Sequence, residues 1–327
     1  MIYRNLGKSG VKVSVLSFGS WLTFAKQIED NTASELMHYA YDNGVNFFDN
    51  AEIYSKGNSE IVMGKILKEA SWDRTSYLVS SKAFFGDGRN KPNQTGLSRK
   101  HLVEACNDAL RRLQVDYLDF YFCHRPDKST PIEETVWTMN SLIQQGKILY
   151  WGTSEWSAQE IMEAHMVAKE RNLIGPTMEQ PHYNMLNRHK VEVEYSQMYK
   201  TVGLGTTVWS PLASGILTDK YAESIPKDTR LFMEGLDWLR ERNMTEQNLI
   251  VVKKLSQFAK ENSLSLANLA IGWVISNPNV STAILGASKK DQLVESLKSI
   301  EVLERMKPEF LESLEAVLNN KPEHPMY

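Results

Sequence analysis

Residues 117–152 read YLDFYFCHRPDKSTPIEETVWTMNSLIQQGKILYWG and contain one complete folding unit. Tyr117–Cys123 is a short run of aromatic and apolar residues, the composition of a strand buried on both faces. Pro131–Gln145 follows, with Pro131 near its start and Gly146 just past its end, the asymmetry of a helix. Ile148–Gly152 is apolar again. A strand, a helix and a second strand in that order imply a parallel pair joined by a helical crossover.

The same alternation extends in both directions. Val15–Phe18, Val45–Asp49 and Tyr77–Ser81 read as strands before it, and Thr177–Gln180, Gly205–Trp209 and Thr282–Leu285 after it. Thr32–Asn43 reads as a helix that opens after the capping residues Asp30 and Asn31 and closes at Gly44. Ser98–Leu113 places Leu102, Ala105, Ala109, Leu110 and Leu113 on one helix face. Ser157–Arg171 and Val191–Val202 are further helical stretches. Eight such units in about 300 residues favour an α/β fold closed as a (β/α)8 TIM barrel, a single domain over residues 1–327, with an open parallel sheet as the structural alternative. Three stretches fall outside the units. Residues 3–13 are expected to form a β-hairpin closing the barrel bottom, residues 214–240 a long irregular loop after the seventh strand, and residues 307–318 an extra helix. Long loops after barrel strands are where such folds place function.

Composition narrows the function. The chain has 327 residues, 42% of them hydrophobic, with 37 Lys+Arg against 40 Asp+Glu and a net charge of -3. That balance speaks against nucleic acid and against polybasic attachment to a membrane. Cys106 and Cys123 form no C-x-x-C pair, so neither a disulfide framework nor a thiolate metal site is expected. MIYRNLGKSG has no apolar signal core, and no apolar run reaches membrane-spanning length, so a cytoplasmic location is expected. The sequons at Asn93, Asn243 and Asn279 are then chance matches. No G-x-G-x-x-G follows a strand, because Val208 stands where the third glycine after Gly203 and Gly205 would be. Gly7-Lys8-Ser9 lacks the upstream glycine of a phosphate-binding loop, since position 2 is Ile. No H-E-x-x-H and no G-x-S-x-G occurs.

Four polar residues remain that follow consecutive strands. Asp49 ends the second strand, Tyr54 comes five residues later, Lys82 ends the third and His124 the fourth. Singly, each has a bland reading: a turn cap, a packed ring, a solvated amine, a structural imidazole. Jointly they converge, because polar residues at the C-terminal strand ends of a barrel meet at one mouth. The set suits carbonyl reduction, which needs hydride at carbon and a proton at oxygen. A phenol is a poor acid near neutrality. A nearby ammonium favours its phenolate, and an imidazole can share its proton. A buried Lys82 needs a partner, and Asp49 is the candidate.

These residues, with Phe18-Gly19-Ser20-Trp21, Asp49-Asn50-Ala51-Glu52-Ile53-Tyr54, Gly96-Leu97-Ser98-Arg99-Lys100-His101, Tyr150-Trp151-Gly152-Thr153-Ser154, Trp209-Ser210-Pro211-Leu212-Ala213 and Gly286-Ala287-Ser288, resemble the aldo-keto reductase family over about residues 3–320. Within it the chain is most similar to the branch holding the voltage-gated potassium channel beta subunits. The resemblance implies a catalytic tetrad of Asp49, Tyr54, Lys82 and His124, with Tyr54 as proton donor, Lys82 and Asp49 tuning it, and His124 orienting the carbonyl. Channel beta subunits commonly carry Asn at the last position, so His124 favours turnover. Asn50 replaces a usual Thr.

The resemblance also implies NADPH. Ser20, Trp21 and Asp49 border it, Ser154 and Gln180 hold the nicotinamide amide, and Trp209 stacks on the ring. Ser210, Pro211, Leu212, Ser214 and Gly215 follow the pyrophosphate, with Lys220 adding charge. Gly286, Ser288 and Gln292 face the 2′-phosphate and Glu295 the adenine. Backbone N–H groups at a helix start suit phosphate, although a plain basic helix start is the competing reading. Gln292 stands where many relatives have Arg, with Arg230 the residue to compensate, and Ser296 replaces a frequent Asn. Trp21, Tyr54, Phe85, His124 and Trp156, with Phe84, are expected to line an apolar substrate pocket. No metal is expected.

Two functions are weighed. One is an NADP-dependent oxidoreductase that reduces aldehydes or ketones to alcohols. The other is a cofactor-sensing regulatory subunit docked on a potassium channel, which the short lead before Tyr3, too brief to block a pore, and the intact tetrad disfavour. The resemblance further implies a homo-oligomer, with a tetramer as the assembly to test.

Overall fold

Among the described residues ten strands carry the architecture: β1 (Tyr3–Asn5), β2 (Lys12–Ser14), β3 (Leu16–Gly19), β4 (Phe47–Asp49), β5 (Leu78–Ala83), β6 (Leu118–Cys123), β7 (Ile148–Ser154), β8 (Met178–Gln180), β9 (Gly205–Trp209) and β10 (Thr282–Leu285). In this computed structural model residues 1–21, 23–24, 28–221, 232 and 236–325 are described. Strands β3 to β10 close into a barrel in sequence order, every neighbouring pair parallel, with β10 returning to β3. The open-sheet alternative is thereby excluded.

Alternation along the strands sorts the interior into two layers. Phe47, Phe120, Phe122 and Met178 form an apolar floor with Leu6 and Val13. Two residues further on, the inward positions turn polar: Asp49, Ser80, Lys82 and Gln180 are hydrogen-bonded to one another. The opposite faces, with Phe48, Val79, Tyr121 and Trp151, pack into the larger apolar layer under the helices. The barrel interior is apolar at one end and polar at the other.

The expected hairpin pairs Tyr3 with Ser14 and Asn5 with Lys12. It plugs the apolar end. Its turn lies against the start of β9 so closely that a Cβ on Gly7 (φ 57°) would sit 2.2 Å from the Gly203 carbonyl oxygen.

The helices are α1 (Asp30–Asp42), α2 (Asn58–Ala70), α3 (Arg99–Leu113), α4 (Ile132–Gln144), α5 (Ala158–Arg171), α6 (Met198–Thr201), α7 (Asp237–Asn243), α8 (Glu246–Glu261), α9 (Leu266–Ser276), α10 (Lys290–Leu297) and α11 (Pro308–Leu318), the last being the extra C-terminal helix. Ser98 caps α3 by accepting from His101 N, and Ser157 and Glu160 form a capping box on α5. Asp30 is not a cap but the first residue of α1, whose N-cap Glu29 makes no side-chain cap bond. Val191–Val202 is not one helix. A π-helical turn at Lys190–Glu194 precedes the short α6. Side-chain bonds accompany the break: Glu194 accepts from the distant Ala158 N at 2.9 Å, and within the stretch Tyr199 donates to the Val191 carbonyl at 2.8 Å. Much of the expected loop 214–240 lies outside the described residues. No helix among the described residues is long and apolar enough to cross a membrane.

Candidate active site

Asp49 closes β4, Lys82 lies near the end of β5 and His124 follows β6, so three adjacent strands aim them at one mouth. The Lys82 ammonium donates to Asp49 Oδ2 at 2.6 Å, to the Asn50 carbonyl at 2.7 Å and to Tyr54 OH at 3.2 Å. Ser80 and Gln180 donate to Asp49 Oδ1 at 2.8 and 3.2 Å. The Tyr54 ring meets the His124 ring at a centroid distance of 5.9 Å. The tetrad predicted from sequence is therefore assembled.

Tyr54 is delivered by a tight turn over Tyr54–Gly57. The next two residues, Ser55 and Lys56, have φ of 49° and 55°. Left-handed backbone at non-glycine residues costs about 1–3 kcal/mol each and persists only where surrounding contacts hold it. Ser55 is tied to the Phe24 carbonyl at 3.0 Å, and Tyr54 N to the Ala51 carbonyl at 3.0 Å. The strain lies beside the phenol.

In the resting site burial outweighs any pull of the nearby ammonium toward the phenolate. Burial, with Asp49 adding to it and Arg125 opposing, pushes the Tyr54 hydroxyl well above its ordinary value. Burial lowers the Lys82 ammonium, and Asp49 only partly restores it. Burial, Lys82 and Arg125 hold His124 well below the usual imidazole range, so its ring is neutral. His124 Nδ1 is buried with no partner among the described residues. That atom is a ready contact for a polar ligand group, because buried polar atoms are normally paired.

The expected cofactor residues surround the same mouth. Ser20 is buried and donates to the Asp49 carbonyl at 3.1 Å. Ser154 donates to the Gln180 carbonyl at 2.9 Å. Trp21 meets Trp209 edge-on at 5.9 Å, and His182 stacks on Trp209 at 4.3 Å. After β9, Ser210, Ala213, Ser214 and Gly215 all have positive φ, from 46° to 98°, a contorted loop that includes Pro211 and Leu212. Asn184 Nδ2 holds the Ser210 carbonyl at 3.0 Å, and Ser214 N donates to Ser210 Oγ at 2.9 Å. Lys220 is exposed in the following turn, Asp219–Tyr221. Gly286 is exposed, and Gln292 Oε1 accepts from Ser288 N and Oγ at 2.9 and 3.2 Å. Glu295 is engaged by Asn268 at 2.6 Å, Ser265 at 3.2 Å and Lys298 at 3.2 Å, which turns it toward the start of α9. Arg230 lies outside the described residues. The Trp209 shelf and the strained, hydroxyl-bearing Ser210–Gly215 loop fit a nicotinamide dinucleotide and leave the orphaned His124 Nδ1 for a substrate.

Of the expected pocket wall, Phe85 is 40% exposed and its ring stands 5.2 Å from His124. Trp156 is almost fully buried, which leaves it little surface for a substrate.

Two further residues at this mouth escaped the sequence reading. Glu155 Oε1 accepts from His182 N at 2.6 Å and from Trp209 Nε1 at 3.0 Å, while Oε2 pairs with Lys190 at 3.3 Å. Burial pushes this carboxyl up, but Lys190 and the two donors outweigh it and hold it below its ordinary value. Arg125, directly after His124, bonds the His124 carbonyl and reaches Ser154 Oγ at 3.3 Å. Both residues follow a barrel strand, the same signal that singled out His124.

The family model for the "Aldo/keto reductase family" matches residues 15–319. The chain is 49% identical over 323 residues to a probable voltage-gated potassium channel subunit beta of Oryza sativa subsp. japonica, covering 98% of each chain. It is 48% identical over 326 residues to the Arabidopsis thaliana protein of the same description, covering 99% of each. A putative voltage-gated potassium channel subunit beta of Schizosaccharomyces pombe is 46% identical over 323 residues, 98% of this chain and 94% of that one.

Proposed function

The chain belongs to the aldo/keto reductase family, a family of oxidoreductases, and on that premise we propose that it reduces aldehydes or ketones to alcohols with NADPH, Tyr54 giving the proton. The observation that carries this reading is the contact of Lys82 with both Asp49 and Tyr54, beside a neutral His124. When bound, NADPH supplies the hydride that adds to the carbonyl carbon. The carbonyl oxygen takes the Tyr54 proton, and the developing phenolate lies 3.2 Å from the Lys82 ammonium. That attraction grows only as charge develops, which lowers the barrier rather than tightening ground-state binding. Asp49 fixes Lys82 in place. His124 Nδ1 or its partner nitrogen holds the substrate oxygen against the phenol.

For the cofactor, Ser154 and Gln180 would hold the amide, Trp209 the ring, the Ser210–Gly215 loop the pyrophosphate, and Ser288 with Gln292 the 2′-phosphate. Ser288 and Gln292 are uncharged and bonded to each other, so Gln292 in place of an Arg weakens the preference for NADPH over NADH, and NADPH is proposed from the family alone. Phe85, Trp21 and Tyr54 suit substrates of modest polarity.

The test is absorbance loss of NADPH, then NADH, against a panel of aldehydes, ketones and dicarbonyls. Consumption that vanishes in Tyr54→Phe, with cofactor binding intact, supports the reading. Substantial turnover by Tyr54→Phe would show that another group gives the proton.

The names of the relatives, voltage-gated potassium channel subunits beta, favour a second reading, in which this chain is a channel subunit that uses bound cofactor as a sensor. Tight NADPH binding without turnover, together with retention of a co-expressed channel in a pull-down, would select it. Under either reading we propose a homo-oligomer. Sedimentation showing only monomer would remove that claim.

A further inference from the structure

Arg74, Arg112 and Arg188 are largely buried, and each meets a carboxylate, at 2.6, 2.6 and 2.7 Å. Arg125 is half-buried at the active-site mouth, and among the described residues no carboxylate lies within ion-pair distance of it. Its recorded acceptors, the His124 carbonyl and Ser154 Oγ, are neutral, and both are reached through Nη1. A guanidinium carries five N–H donors. The acid that shares the mouth, Glu155, feels the Arg125 charge without forming an ion pair with it, and its oxygens are committed to Trp209, His182 and Lys190. Of the other cations here, Lys82 is matched by Asp49 and Lys190 by Glu155.

The guanidinium carbon stands 5.6 Å from the centre of the Phe85 ring, that ring 5.2 Å from His124, and His124 5.9 Å from the Tyr54 ring. A path of aromatic surface therefore runs from the unmatched cation to the phenol. We propose that Arg125 is a specificity-determining residue, an anchor for a carboxylate carried by the carbonyl substrate. The substrate class is an oxo acid, with its carbonyl at Tyr54 and His124 and its carboxylate on Arg125 across Phe85. A carboxylate matches the planar fork of a single guanidinium, whereas a phosphate dianion calls for a second unspent cation at this mouth. This assignment rests on the reductase reading above and names the substrate class of that same site.

The test compares 3-formylbenzoate with its methyl ester, which differ in charge and little in shape, in wild type, Arg125→Gln and Arg125→Lys. The expected kcat/KM ratio of acid to ester is at least about tenfold in wild type, set mainly by KM. It falls to about one in Arg125→Gln and stays above one in Arg125→Lys. Because the ratio is internal to each protein, a partly unfolded preparation does not shift it. A wild-type ratio near one, or a ratio unchanged in Arg125→Gln, overturns the anchor. Turnover of neither compound by wild type, when no member of the aldehyde, ketone and dicarbonyl panel reacts either, would sink the reductase reading instead. Calorimetric titration of 3-formylbenzoate into wild type and Arg125→Gln then decides the anchor separately: binding lost in the variant supports it, and equal or absent binding overturns it.

Discussion

Lys82 Nζ sits 2.6 Å from Asp49 Oδ2, with the lysine side chain wholly closed to solvent and the aspartate nearly so. Two charges at this depth are tolerable only as a pair, since removing one strands the other. Lys82→Met is expected to cost about 3–5 kcal/mol in urea unfolding. The double variant Lys82→Met with Asp49→Asn is expected to recover most of that loss while staying inactive. A double variant as unstable as the single one would show that the pair does not act as a unit.

The protonation states predict the shape of the pH–rate profile. His124 is held neutral by burial and two nearby cations, so no loss of kcat/KM centred near pH 6.5 should arise from its protonation. Tyr54 is held protonated well above its ordinary value, so reduction should not fail through phenol ionisation below pH 10. Rate profiles of wild type and His124→Asn between about pH 5 and pH 10 check both points. An inflection near pH 6.5 present in wild type and missing in His124→Asn would contradict the neutral imidazole.

The fold was legible because each barrel strand is short, apolar and punctuated, and the four tetrad residues follow consecutive strands. Arg125 and Glu155 were less legible because their roles depend on neighbours from other strands. Nothing in G-T-S-E-W says that Glu155 will reach Trp209, 54 positions away in sequence. The Val191–Val202 stretch misled because its helical pattern does not show the break that the side-chain bonds of Glu194 and Tyr199 accompany. Trp156 was read as pocket wall from its place after a strand, but its neighbours bury it.

Glu155 ties the ends of β7, β8 and β9 together, and it does so at the indole expected to meet the nicotinamide. A shelf fixed in advance binds without losing side-chain freedom. Glu155→Ala should therefore weaken NADPH binding about tenfold, which corresponds to about 1.4 kcal/mol. Glu155→Gln, which keeps an oxygen for Trp209, should lose less. Fluorescence titration with NADPH reads both. Unchanged affinity in Glu155→Ala would mean that Trp209 is held by its stacking on His182 alone.

Glu179, next to Gln180 on β8, is fully buried. Its Oε2 accepts from Thr153 Oγ1, while Oε1 has no partner among the described residues. Burial pushes this carboxyl up to about 8 from an ordinary 4.5, with Lys190 and Thr153 opposing and Glu155 adding repulsion. The folded state thus binds the proton more tightly than the unfolded chain. The resulting stabilisation is complete below about pH 4.5 and is lost as pH rises toward about 8, through the folded-state value. Glu179→Gln cannot ionise and escapes that loss. Relative to wild type its unfolding free energy should therefore gain between pH 5 and pH 8.5, by roughly 2 kcal/mol or more. A difference that stays flat across that range would show that Glu179 is ionised in the folded protein throughout.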